Sequence, residues 1–224
     1  MKKTAYIFLA LVMLLSGCGL AGNSPTSTPL PTLELPYFPK TGDTAFFDDF
    51  EVNDGLAWYL NKAETSETSV EGGRLKLSVS EKNWSVWTTT GNMDTPDVVI
   101  QVDTSSENED ETSTQGIICR FQDNDNFYSL SVARGGYVEI RKTVQGVQTL
   151  LFSQIVGKNM VRPKDNNLTA TCIGDTLAIY ANQYYLASAK DTDLASGDVG
   201  VIISTTQGAS HEVFFDNFMA VIPN

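Results

Sequence analysis

Histidine is almost missing from this chain of 224 residues: His211 is the only one. That excludes a multi-histidine metal site and two-histidine acid–base chemistry, and a Ser/His/Asp triad would have to use this residue, which sits between Ser210 and Glu212 close to Gly208. Basic side chains are also scarce, 15 Lys and Arg against 27 Asp and Glu, for a formal net charge of -12. A nucleic-acid partner is excluded on that ground, because phosphate binding needs a basic face. Cysteine is limited to Cys18, Cys119 and Cys172. Long apolar runs are absent too: the longest, Ala5 to Leu15, falls short of the about 20 residues needed to cross a bilayer as a helix. From Thr44 onward no segment carries a 3.6-residue apolar period, which argues against helices.

What is present at the N-terminus is a processing signal. Lys2 and Lys3 precede the apolar run, as in a secretory signal peptide. Leu15-Ser16-Gly17-Cys18 then resembles the bacterial lipobox, in which small residues precede a cysteine that is diacylated and becomes the new first residue. The alternative is an ordinary signal peptide with a chance cysteine near its end. A lone thiol there would be a poor choice in an oxidising compartment. The expected organisation is a lipoprotein signal peptide over 1–17, a lipidated Cys18 opening a linker over 18–43, and one folded body over 44–224. Five of the eight prolines, Pro25, Pro29, Pro31, Pro36 and Pro39, lie among Ser and Thr between Gly19 and Lys40, so this stretch of the linker reads as an extended stalk reaching up to about 70 Å at ~3.1 Å per residue. The protein is then expected to be extracytoplasmic, with the bacterial cell membrane as a partner through the lipid.

The body alternates with period two. Leu75, Leu77 and Val79 alternate with Lys76, Ser78 and Ser80; Val98, Ile100 and Val102 alternate with Val99, Gln101 and Asp103. Tyr128 to Val132, the Arg134-Gly135-Gly136 turn, Val138 to Arg141 and the Gln145-Gly146 turn form a meander; Leu168 to Ile173, the Gly174-Asp175 turn, Leu177 to Ala181 and the Asn182-Gln183 turn form another. About a dozen strands separated by polar turns predict an all-β, two-sheet antiparallel sandwich in one domain.

Three stretches carry a family resemblance: Ile117 to Tyr128 (Ile-Ile-Cys-Arg-Phe-Gln-Asp-Asn-Asp-Asn-Phe-Tyr), Leu177 to Asn182 (Leu-Ala-Ile-Tyr-Ala-Asn) and Phe215 to Phe218 (Phe-Asp-Asn-Phe). Over roughly Ala45 to Pro223 the chain resembles the concanavalin A-like lectin/glucanase superfamily, nearest to its laminin-G-like and DUF1080-like (3-keto-disaccharide hydrolase-like) members on bacterial lipoproteins. The resemblance implies a jelly roll whose concave face binds glycans in many members, and no particular chemistry. Glucanases of this fold use a Glu-x-Asp-x-x-Glu strand, which is missing here; Glu107 to Glu111 reads as a solvated loop. No catalytic residue is assigned. The expected function is a non-catalytic surface module for a glycan or cell-wall polysaccharide, against a DUF1080-like hydrolase or a structural, protein-interacting lipoprotein.

Four further expectations concern named residues. Phe46-Phe47-Asp48-Asp49-Phe50 nearly repeats in Phe214-Phe215-Asp216-Asn217-Phe218, which suggests paired terminal strands; alternation sets Asp216 between Phe214 and Phe218 on a buried face. Asp48, Asp49 and Asp216 are then either satisfied by hydrogen bonds or gathered around a structural calcium. Trp58, Tyr184 and Tyr185 are the candidate ligand-stacking aromatics, while Trp84 and Trp87, an odd number apart, are expected on opposite faces with one of them in the core. Asp123 to Asn126 lacks the glycine and distal acid of a calcium loop and reads as a hairpin turn. Finally, Cys119 and Cys172 fall on inward-facing strand positions and are expected to form a disulfide, the alternative being two buried thiols.

Overall fold

A computed structural model describes residues 45–51, 58–91, 93–207 and 210–223, all within one compact unit. Cys18, the signal peptide and the linker lie outside the described residues. Among the described residues there is no helix, and fifteen strands are present: β1 (Ala45–Asp48), β2 (Asn61–Lys62), β3 (Ser66–Val70), β4 (Leu75–Val79), β5 (Ser85–Thr89), β6 (Val98–Ser105), β7 (Thr114–Asp123), β8 (Asn126–Ala133), β9 (Tyr137–Val144), β10 (Val147–Ile155), β11 (Asp165–Ile173), β12 (Thr176–Ala181), β13 (Tyr184–Lys190), β14 (Asp198–Ser204) and β15 (His211–Val221). They form two antiparallel sheets. The nine-stranded sheet runs β13-β12-β11-β6-β15-β4-β3-β2, with β1 also on β15; the six-stranded sheet runs β10-β9-β8-β7-β14-β5. The expected all-β, two-sheet sandwich is the observed fold.

Period-two alternation builds the core between the sheets. β4 buries Leu75, Leu77 and Val79 and turns Lys76 and Ser78 out; from the other sheet β8 sends Tyr128, Leu130 and Val132 into the same core. Two-residue turns with both central residues at positive φ, Gln145-Gly146 (52° and 75°) and Asn182-Gln183 (52° and 70°), join β9 to β10 and β12 to β13. This handedness matches the strand twist, so the hairpins close without splaying.

Two cross-sheet devices fix the layers. Cys119 on β7 and Cys172 on β11 are disulfide-bonded, fully buried, with Cα atoms 6.7 Å apart. The expected bridge is therefore present, and it ties one sheet to the other. Next to it β7 bulges at Arg120 (φ 51°), whose buried guanidinium donates from Nε to Pro96 O (2.9 Å), from Nη1 to Leu194 O (3.1 Å) and from Nη2 to Gly174 O (2.7 Å). One side chain thereby pins three loops at one end of the sandwich.

The terminal strands pair as expected, Phe46 opposite Ala220 and Asp48 opposite Phe218. The facing of Asp216 is a correction. A bulge between Asp216 and Met219, with Asn217 at φ 50°, resets the alternation, so Phe215 and Phe218 point inward while Phe214 and Asp216 turn to the outer face.

Candidate functional site: the outer groove of the six-stranded sheet

Register brings five outward side-chain positions into one rank across the six-stranded sheet. Trp87 (β5), Ile202 (β14), Gly116 (β7), Ser131 (β8) and Glu139 (β9) lie opposite one another in turn. A second rank, Thr89, Gly200, Ile118, Ser129 and Arg141, runs beside it. Four inter-strand steps of ~4.8 Å make the rank about 19 Å long. Its floor is nearly bare. A Cβ on Gly116 would lie 2.3 Å from both Leu130 O and Ser131 Oγ, so only glycine lets β7 and β8 approach this closely while leaving no side chain above them. The result is an open groove of about 640 Å³. Ser131 faces outward yet is only 4% exposed, because the banks of the groove shield it.

The banks differ chemically. On one side Trp87 leans over Ile118 and Ile202 to reach Phe127 (ring centroids 5.5 Å), and Phe121 packs on Phe127 at 5.9 Å. This small apolar cluster lies outside the main core and supports the indole from beneath. On the other side β9 presents Tyr137, Glu139, Arg141 and Thr143 at every second residue. The buried Glu139 carboxylate accepts from Arg141 Nη2 (2.8 Å) and from the Tyr137 hydroxyl (3.2 Å). It is thus a neutralised, oriented acceptor. At the rim Glu111 pairs with Lys158 (2.8 Å), whose hydrogen bond holds the Glu111 carboxyl below its usual pKa.

The residues singled out in the sequence fall elsewhere. Trp58 is buried: its Nε1 donates to Asp48 Oδ2 (2.8 Å), and its ring sits edge-on to Phe218 (5.0 Å) and against Phe50 (5.5 Å) and Phe46 (6.2 Å). It packs and does not bind. Asp48 also accepts from its own turn at Phe50 N (2.7 Å), so hydrogen bonds satisfy this carboxylate. Asp49 is exposed and Asp216 lies on the outer face of the nine-stranded sheet, accepting from Asn217 N. The three acids do not converge, and among the described residues no group of three or more His, Cys, Asp or Glu side chains is arranged to hold a metal ion. Tyr184 and Tyr185 are exposed at the start of β13, the edge of the nine-stranded sheet, where Tyr185 packs on Tyr180 (5.6 Å) and shares a 2.7 Å hydrogen bond with Ser188 Oγ; neither lines the groove. Of Trp84 and Trp87 neither is core. Trp84 precedes β5 and is 48% exposed, while Trp87 is half-buried on the outer face.

His211 does not line this groove and is buried: Asn108 Nδ2 meets its Nδ1 at 3.1 Å, and burial pushes the imidazole down to about 4. A second open groove of about 740 Å³ lies on the outer face of the nine-stranded sheet. It is charged, with Lys62, Glu67, Arg74, Lys164 and Glu212 among its walls, and its one aromatic ring, Phe214, is covered by the Arg74 guanidinium at 4.1 Å. No aromatic face is left open there.

No protein-family model and no curated protein sequence matches this chain. Solved structures do. The chain superposes on the carbohydrate-binding module CBM66 from Bacillus subtilis with a TM-score of 0.56 at 16% identity, over 73% of this chain and 94% of that one. On the GH43 protein BlXynB from Bacillus licheniformis the TM-score is 0.60 at 16% identity, over 79% of this chain, which spans only 39% of that one. On the beta-glucanase from Bacillus licheniformis it is 0.55 at 10% identity, over 83% of this chain and the whole of that one. These likenesses establish the jelly-roll sandwich found in carbohydrate-binding and glycosidase structures.

Proposed function

We propose that this protein is a non-catalytic binding lipoprotein, held to the bacterial membrane through an acylated Cys18, that takes a glycan or cell-wall polysaccharide into the groove of the six-stranded sheet. The observation that carries the reading is the pairing of a supported indole, Trp87, with a bank of Tyr137, Glu139 and Arg141 across a floor of glycine and serine. Sugar rings present apolar faces that stack on an aromatic, and hydroxyls that need oriented donors and acceptors such as these. Hydrolysis is disfavoured because glycosidic cleavage needs two carboxyl groups flanking the bond, one of them protonated. Here Glu139 is engaged by Arg141, and Glu111 is kept ionised at the rim by Lys158.

Calorimetric titration of the purified protein with soluble neutral polysaccharides, run beside a reducing-end release assay, tests this. Saturable binding without release is expected, with Trp87→Ala weakening it about tenfold. Release of reducing ends that Glu139→Gln abolishes would replace the binding reading with the hydrolase one.

A further inference from the structure

Beyond the β5 edge of the same sheet lies a third open groove, of about 570 Å³, walled by Tyr59, Trp84, Trp87 and Phe121. It shares Trp87 and Ser85 with the groove already described, so the indole stands as a ridge between the two. Its remaining lining is Ser66, Val86, Thr88, Thr89 and Asn124, and none of these side chains carries a charge. In a protein of net charge -12 that is a selected environment rather than an average one. Both other large grooves have charged walls.

The two outermost rings are held for presentation. Tyr59 is 71% exposed, yet its carbonyl accepts from Thr88 Oγ1 (2.9 Å) and Thr68 Oγ1 (3.2 Å), which fixes its backbone against both sheets. Trp84 is bound at both ends of its peptide unit, N–H to Thr205 Oγ1 (3.2 Å) and carbonyl from Thr205 N–H (2.9 Å), while its ring projects. Large rings on an anchored backbone lose little freedom when a ligand stacks on them.

Resting on the proposed glycan reading, we infer that the two grooves form one track and that its ligand is a long, electrically neutral oligosaccharide or polysaccharide chain. One stretch crosses the floor from Glu139 to Trp87, and the continuation stacks on Trp84 and Tyr59 beyond the sheet edge. A short sugar fills the first groove alone. A charged chain, such as a polyuronate, gains nothing from the second, where no countercharge is present.

The test is a length series. Affinities of neutral β-glucan and xylan ladders, from disaccharide to octasaccharide, are measured for the full chain and for Trp84→Ala and Tyr59→Ala, with Trp84→Tyr as a conservative control. Because both rings project, thermal midpoints of the variants should match the unaltered protein. Expected is an affinity that keeps rising past the short members, and a loss of about tenfold for the octasaccharide in each alanine variant, with the disaccharide unaffected and Trp84→Tyr close to the unaltered chain. If the octasaccharide binds no better than the short members, or if the alanine variants bind it normally, the extended track is wrong while the first groove stands. If polygalacturonate binds more tightly than either neutral ladder, the assignment to neutral chains is wrong. If no ladder and no polyuronate binds at all, the glycan reading itself fails and this inference falls with it.

Discussion

His211 shows what a single buried ionisable residue does to the whole fold. Burial lowers its pKa from 6.5 to about 4, against the opposite pull of the Asp110 carboxylate. Above pH 6.5 the ring is neutral in both folded and unfolded chains and contributes no pH dependence. As the pH falls from 6.5 to about 4 the unfolded chain takes up a proton that the folded one refuses, so stability drops; below about 4 both are protonated and the loss levels off. The full effect is on the order of 3 kcal/mol. Denaturant melts across this range should show a steeper acid limb for the unaltered protein than for His211→Asn, and parallel limbs would mean the imidazole is already charged in the fold. The residue's position was visible in the sequence, but its burial comes from β15, on which His211 shares the inward face of Val213 and Phe215.

At the scale of elements, most hairpins were legible because apolar alternation and Gly, Asn or Asp turns agree with each other, as around Gln145-Gly146 and Asn182-Gln183. Alternation failed where the chain bulges. Asn217 in a left-handed conformation shifts the phase of β15, so Phe215 and Phe218, three positions apart, both face in while Phe214 and Asp216 face out. The candidate site was legible only in part: Tyr137, Glu139 and Arg141 lie on one strand with period two, but their partner Trp87 reaches them through a register spanning five strands. Trp58 misled for a similar reason, since its partner Asp48 is ten residues away in sequence and closes the indole N–H inside the sandwich. The inter-sheet disulfide, by contrast, followed from counting cysteines and from strand facing. It closes 53 residues of chain between β7 and β11, and a cross-link over a loop of that length stabilises by roughly 4 kcal/mol in the chain-entropy view. Replacing both cysteines by alanine should lower the unfolding free energy by about that amount in urea titrations. A double variant as stable as the parent would show that the sheets hold each other without the bridge.

For the whole molecule, two surfaces divide the work. The nine-stranded sheet turns outward a charged, self-paired face, with Lys76 on Glu71 at 2.6 Å and Arg74 over Phe214, while the six-stranded sheet turns outward the groove with open aromatic and hydroxyl groups. Tethering by lipid at Cys18 through a proline-rich spacer would hold such a module near the cell surface. In detergent phase separation the unaltered protein is expected in the detergent phase and Cys18→Ala in the aqueous phase; retention of the variant in detergent at full length would remove the lipid anchor. That soluble variant also permits the most direct test of where a glycan binds. Titrated with a neutral oligosaccharide and followed residue by residue through amide and indole NMR shifts, it should respond at Trp87, Ser131, Tyr137 and Arg141. Shifts clustered instead at Arg74, Phe214 and Glu212, or at Tyr184 and Tyr185, would contradict a binding site on the six-stranded sheet.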